Sequence, residues 1–274
     1  MSLPTVSILG CGWLGEPLAR QLVHNGYSVK GSTTTQNKLF LLKKEGVEPY
    51  LLSGRPQISG DRIEAFFQSQ ILVITLPFKR DLSDPRFYLQ QIRSIAEKAD
   101  SSAVEFIVFT SSTSVYPRTT TSAREDEPVA PDNERARVLL ETEQLLLSSR
   151  HFATTVIRLA GLYGPDRPIA RFSTGQFEDG EQPLNIIHRD DAVGILGAVI
   201  TQNLRGEVLN ACSDAHPTRK ELYLKAAEIL RLPTPAFSQT TSGTRKIVSN
   251  EKLKRKLRYQ FKFPDMKQIL DLVE

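Results

Sequence analysis

The stretch that most limits what this chain can fold into is Val6 to Ala19, VSILGCGWLGEPLA. A short apolar run, Val6 to Leu9, leads into Gly10, Gly12 and Gly15 at GxGxxG spacing, after which Leu14, Leu18 and Leu22, with Ala19 and Val23, recur at helical spacing. The pattern reads as strand, tight turn and helix. Each glycine has a physical task in such a turn: Gly10 permits the sharp bend, Gly12 lets a diphosphate approach the backbone, and Gly15 lets the helix pack closely on the strand. The first turn of the helix has N–H groups without intrahelical partners and the positive end of the macrodipole, which together attract phosphate. Because the motif follows a strand and opens an amphipathic helix, it is read as a dinucleotide-binding fingerprint rather than a chance glycine turn. Cys11 and Trp13 fill variable positions of the loop, where packing or lining is expected, and Trp13 and Leu14 are counted among the residues that line the nucleotide.

The rest of the chain continues the alternation. Tyr27 to Ser32 reads as a second strand, residues 36 to 45 as a helix, Glu48 to Leu52 as a strand and Ile63 to Phe67 as a helical face. Ile71 to Thr75 is a continuous apolar run of the kind found in parallel strands covered on both faces. It ends at Leu76 and Pro77, placed here beside the bound nucleotide. Tyr88, Ile92, Ile95, Ala96 and Ala99 repeat at helical spacing. Glu105 to Ser111 forms a fifth strand that runs into the hydroxyl cluster Thr110-Ser111-Ser112-Thr113-Ser114-Val115-Tyr116. Strands alternating with helices imply right-handed crossovers and an α/β, doubly wound parallel sheet. Ligands sit at the carboxyl edge of such a sheet, so Thr110 and Ser112 fall where chemistry is expected.

The end of the second strand bears on which dinucleotide fits. A site selective for a free ribose 2′-OH places Asp or Glu about 20 residues past the loop. Here the segment reads GSTTTQNK, with Thr33 and Thr34 in place of a carboxylate and Lys38 following. Hydroxyls and a cation suit a 2′-phosphate, so NADP(H) is favoured over NAD(H). A threonine-rich turn that caps the next helix would leave the choice open.

After Asp166 the pattern loosens into a region rich in glycine and proline. Ile186 to Asp191 then leads into a helix, Glu207 to Ala211 forms a strand, and Thr218 with Glu221 forms a capping box. The division expected is residues 1–165 for nucleotide binding and 166–274 as a smaller lobe, with the segment near 186–211 returning to the first. The basic cluster Lys252, Lys254, Arg255, Lys256 and Arg258 reads as the solvated face of a short helix.

With 35 basic and 31 acidic side chains the net charge is +4, which gives no reason to expect nucleic acid as a partner. Cys11 and Cys212 make neither a disulfide framework nor a metal site. No stretch approaches the roughly 18 apolar residues of a membrane span, so a cytoplasmic protein away from the membrane is expected.

These landmarks in order, the glycine loop, FTSSTSVYP, VIRLAGLYGP, IIHRDDAVG and GEVLNACSD, resemble those of the extended short-chain dehydrogenase/reductase superfamily of nucleotide-sugar epimerases and dehydratases. The resemblance covers nearly the whole chain. It implies a Rossmann domain with a smaller C-terminal substrate lobe, a nicotinamide dinucleotide cofactor, a small-molecule substrate such as a nucleotide sugar, and a homodimer. It places Ser112 at the catalytic Ser/Thr position and the YxxxK pair at Arg135 and Leu139, where neither tyrosine nor lysine is present. No tyrosine occurs between Tyr116 and Tyr163, and no lysine between Lys98 and Lys220, so no shift of alignment restores the pair. Loss of a general acid–base typically costs about 100 to 10,000-fold in rate. Tyr116, Tyr163 and His188 are the remaining proton donors to consider, and packing or a structural hydrogen bond is the competing role for each. Arg158, within the sixth strand, is expected to pair with a local carboxylate. The sequence therefore supports an oxidoreductase or epimerase-like enzyme with a degenerate centre, and beside it a non-catalytic NADP(H)-binding sensor.

Overall fold

The computed structural model describes residues 3–79, 82–167, 169, 175–238 and 245–265. Parts of the loosened region and the extreme C-terminal tail lie outside these residues.

Strand β1 (Val6–Leu9) is buried along its whole length and runs into helix α1 (Gly15–His24). Strand β2 (Val29–Thr33), helix α2 (Gln36–Lys44) and strand β3 (Glu48–Gly54) follow. A short β4 (Ile58–Gly60) then folds back antiparallel on β3, a hairpin that no alternation in the sequence announces. Next come α3 (Ile63–Phe67), the fully buried β5 (Ile71–Ile74), α4 (Arg86–Asp100) and β6 (Phe106–Ser112). A 3-10 turn at Thr113–Val115 and the two-residue β7 (Ser122–Ala123) precede α5 (Glu134–Leu147). Beyond it are β8 (Ala153–Leu159), β9 (Gly161–Tyr163), β10 (Gln176–Phe177), β11 (Ile186–His188) and α6 (Arg189–Thr201). The described chain closes with β12 (Val208–Ala211), α7 (Arg219–Leu230), β13 (Ala236–Phe237), β14 (Ile247–Val248) and α8 (Glu251–Leu257).

Eight strands form the central sheet in the order β12-β8-β6-β5-β1-β2-β3-β4, parallel throughout except for β4 at the edge. The direction of winding reverses between β1 and β5, the switch point at which open sheets of this kind bind ligands. α1 packs beside α6, and α4 beside α5. At the first contact the end of the Gln21 side chain lies against Gly197 of α6, where a Cβ would meet its amide nitrogen at 2.3 Å and push that side chain aside. The doubly wound α/β fold read from the alternation is the one observed.

A second, smaller apolar cluster gathers Tyr163, Ile169, Leu222 and Ala226, with Tyr223 and Ile229 of α7 against it. The capping box of α7 is complete: Thr218 accepts from the Glu221 amide and Glu221 accepts from the Thr218 amide. β9 and β11 pair in parallel, with Tyr163 opposite His188, so Tyr163 lies on a strand. The basic helix α8 buries Leu253 and Leu257, and its Lys252 and Lys256 both pair with Glu207. That accounts for two of its charges within the fold. No described helix is long and apolar enough to cross a membrane.

Candidate functional site

A groove of about 1330 Å³ opens along the carboxyl edge of the sheet at the switch point. The glycine loop forms its centre. Gly10 has φ +105°, a conformation that side chains other than glycine rarely adopt. Its N–H donates to Ser32 Oγ at 3.0 Å and its carbonyl accepts from Thr75 Oγ1 at 2.8 Å, so the loop is tied to both neighbouring strands. A Cβ on Gly15 would lie 2.3 Å from the Gly10 carbonyl oxygen, which is why the helix can begin so close to the strand only with glycine there. A Cβ on Gly12 would meet no protein atom nearer than 4.0 Å. The constraint at Gly12 therefore comes from the groove side, where an occupant would approach the backbone.

Trp13 and Leu14 line the groove. The Trp13 indole N–H donates to the Pro165 carbonyl at 2.9 Å, and the Arg167 guanidinium lies 4.4 Å from the ring centre. These contacts tie the loop to the segment that follows β9. Cys11 is buried, and burial pushes its thiol up to about 12, so it packs as a small apolar group.

At one end of the groove lie Thr33, Thr34 and Lys38. Thr33 Oγ1 accepts from the Thr35 amide at 3.1 Å, a turn-capping bond that leaves its O–H free to donate. Lys38 pairs with Glu16 at 3.5 Å across a well-solvated gap, so its charge is partly neutralised. Arg55 joins this end, a residue that sequence reasoning missed because it sits in an aperiodic loop after β3.

The other end is formed by Leu76, Pro77, Thr110 and Ser112. Thr110 donates to the Ile74 carbonyl at 3.0 Å and holds β6 to β5. Ser112 Oγ accepts from the Ser114 amide at 3.1 Å, which fixes the hydroxyl while leaving its proton available to a substrate oxygen. Arg135 and Leu139 also line this end, one turn apart on α5. They occupy the helix face on which a YxxxK pair would stand, and neither can exchange a proton near neutral pH.

Tyr116 does not fit the proton-donor role considered for it. It is buried away from the groove, where its hydroxyl accepts from Arg158 Nη1 at 2.8 Å and donates to Asn210 Oδ1 at 2.9 Å. Burial raises its phenol pKa, against the weaker opposing effects of Arg158 and Asn210. Both hydrogen-bonding directions of the phenol are already used.

Beneath the groove, Arg158 and Glu143 form a buried ion pair with bonds of 2.7 to 3.2 Å, the local carboxylate expected for Arg158. Burial alone would lower the Arg158 pKa, but its hydrogen bonds and charge contact with Glu143 raise it. Ser111 also donates to Glu143, which links the network to the groove wall. His188 caps α6 by accepting the Asp190 amide on Nδ1, and burial lowers its pKa, so the ring is neutral with its proton on Nε2. That nitrogen and the Tyr163 hydroxyl are both buried without a partner among the described residues. Neither residue lines the groove.

No family model matches the chain. The Escherichia coli K12 protein YeeZ is 35% identical over 264 residues, covering 95% of this chain and 96% of that one. A short-chain dehydrogenase/reductase superfamily protein from Agrobacterium tumefaciens, solved with bound NAD, has a TM-score of 0.79 at 17% identity, covering 97% of this chain and 95% of that chain. UDP-glucuronic acid 4-epimerase from Bacillus cereus, solved with UDP-glucuronic acid and NAD, likewise has a TM-score of 0.79, at 16% identity over 98% and 97% of the two chains. The likeness to these structures shows a shared fold. With its identity to YeeZ extending over nearly all of both chains, this chain belongs to the YeeZ family and has the fold of the short-chain dehydrogenase/reductase superfamily.

Proposed function

We propose that this chain binds NADP(H) along the groove and acts as an oxidoreductase or epimerase-like enzyme on a small substrate of the nucleotide-sugar kind. Residues 1–165 would hold the dinucleotide and 166–274 would furnish the smaller substrate lobe. The observation that carries the reading is the glycine loop at the β1/β5 switch point, with Gly12 open to the groove and Gly15 locked against Gly10. Residues 12 to 14 would hold the diphosphate, and Leu76, Pro77 and Thr110 would flank the far half of the molecule. The solved relatives that contain NAD support a nicotinamide dinucleotide in this groove. In favour of NADP(H), Thr33, Thr34, Lys38 and Arg55 line the near end, and no carboxylate lines the groove among the described residues.

The nicotinamide ring would supply hydride chemistry. Ser112, with its oxygen already accepting from Ser114, would donate its proton to a substrate oxygen and orient it. Without a phenol at Arg135 or an ammonium at Leu139, proton exchange by this chain's own groups is weak, and slow turnover is expected. Those same two residues favour a second reading, a nucleotide-responsive module that does no chemistry. The open, hydroxyl-lined space beside Ser112 favours the enzyme.

Calorimetric titration with NADPH and NADH tests the cofactor assignment. NADPH is expected to bind at least about tenfold more tightly, equivalent to roughly 1.4 kcal/mol. The reverse order would remove the 2′-phosphate assignment, and binding of neither would remove the reading as a whole.

A further inference from the structure

We propose that the end of the groove beside Ser112 binds an anionic group of the substrate, a carboxylate or phosphate, between the guanidinium groups of Arg118 and Arg135. The proposal deepens the reading above and rests on it only in assigning the other half of the groove to a dinucleotide.

The chain has nearly as many acidic as basic side chains, yet the groove is lined by cations of one sign. Lys38 and Arg55 stand at the threonine end and Arg167 at the glycine loop, all within the part assigned to the dinucleotide. Lys79, Arg118 and Arg135 stand at the Ser112 end, together with Ser114 and Asn133. The phosphates of a dinucleotide laid across the glycine loop neutralise the first set and leave the second. Focused charge of one sign in a cleft draws an occupant of the opposite sign.

Arg135 is built for this task. Its guanidinium lies over the Phe78 ring at 4.1 Å, and Phe78 stacks in turn on Tyr88 at 4.6 Å. One nitrogen, Nη2, donates to the Lys79 carbonyl at 2.7 Å. These contacts fix the plane of the group while leaving most of its five N–H donors unused. No carboxylate pairs with Arg135 or Arg118 among the described residues. Arg118 is exposed and is held through its backbone: its N–H donates to Asp132 Oδ2 at 2.8 Å, next to the Asn133 cap of α5. A planar fork that is already oriented loses little freedom on meeting a carboxylate or phosphate. The exchange at the YxxxK position thereby acquires a purpose. An arginine that cannot pass a proton can still hold an anion against the Ser112 hydroxyl.

The test uses the full-length protein saturated with NADP+ and titrated with malonate, inorganic phosphate and neutral glycerol. Malonate or phosphate binds and glycerol does not, and the stronger of the two anions identifies whether the group recognised is carboxylate or phosphate. Arg118→Gln and Arg135→Gln each weaken that anion about tenfold or more, the usual consequence of removing a charge-assisted hydrogen bond, while NADP+ affinity stays within about twofold. Because Arg118 is exposed, its variant keeps the fold even if Arg135→Gln disturbs the Phe78 stack. Anion affinity unchanged in both variants, or no anion binding to the wild type, overturns the proposal. If NADP+ itself fails to bind, the cofactor reading falls, and the same titrations on the free protein still decide this one.

Discussion

Replacing Arg158 with alanine is expected to destabilise the protein by about 3–5 kcal/mol, the usual cost of leaving one member of a buried ion pair without its partner. For a chain of this size that corresponds to a fall in Tm of roughly 5–9 °C. Arg158 is 5% exposed and Glu143 1%, so water cannot replace the lost charge. The cost extends beyond the pair, because Arg158 also donates to Tyr116, which holds Asn210 on the neighbouring strand β12. Glu143→Ala should be comparably damaging, since it strands the Arg158 charge and removes the acceptor of Ser111. The double variant Arg158→Met with Glu143→Leu removes both charges and is expected to recover much of the loss. Thermal or urea unfolding of the two single variants and the double one checks this. Singles within about 1 kcal/mol of wild type would show that the network does not bear on stability in this way.

The second large effect separates two glycines only three residues apart. Gly12→Ala places its Cβ in open groove space, so the fold should keep its Tm. The same methyl stands where the diphosphate must approach the backbone amides. Loss of two charge-assisted hydrogen bonds at about 1.5–3 kcal/mol each gives a decrease in NADPH affinity of roughly 100-fold or more. Gly15→Ala is different in kind. Its Cβ meets the Gly10 carbonyl oxygen at 2.3 Å and Thr75 Oγ1 at 2.9 Å, so helix and strand must part. Overpacking of this sort costs about 1–3 kcal/mol, and binding should fall together with stability. Unfolding curves and NADPH titrations on the two variants distinguish a ligand-side from a packing-side requirement. Equal behaviour of the two would contradict the assignment of Gly12 to a ligand contact.

The parts of this architecture legible in the sequence are those written as local pattern. The apolar run before Gly10, the glycine spacing and the leucines after it specify strand, turn and helix, because each feature acts within a few residues. The apolar run at 71–75 is equally readable as a doubly covered strand, and Ile71 to Ile74 are buried on both faces. The vacancy at Arg135 and Leu139 could be seen because i, i+4 spacing on a helix is itself a local rule.

What escaped the sequence depends on contacts distant along the chain. Glu143 reads as one more acid on a polar helix, and only the fold brings it to Ser111 and Arg158. Strands β9 and β11 are three residues each, too short for a period, and their pairing joins segments more than twenty residues apart. Arg55 and Arg118 lie in aperiodic loops beside prolines, where nothing local marks them as facing a groove. Tyr116 is only four residues past Ser112 in sequence, yet the 3-10 turn at Thr113–Val115 between them turns it to Arg158.

The most direct test of the central claim is a crystal structure of the protein grown with saturating NADP+. The expected result is a diphosphate within hydrogen-bonding distance of the amides of residues 12 to 14, the 2′-phosphate beside Thr33 and Lys38, and the nicotinamide facing Ser112. A groove that stays empty at saturating nucleotide, or a nucleotide bound anywhere else, would contradict it.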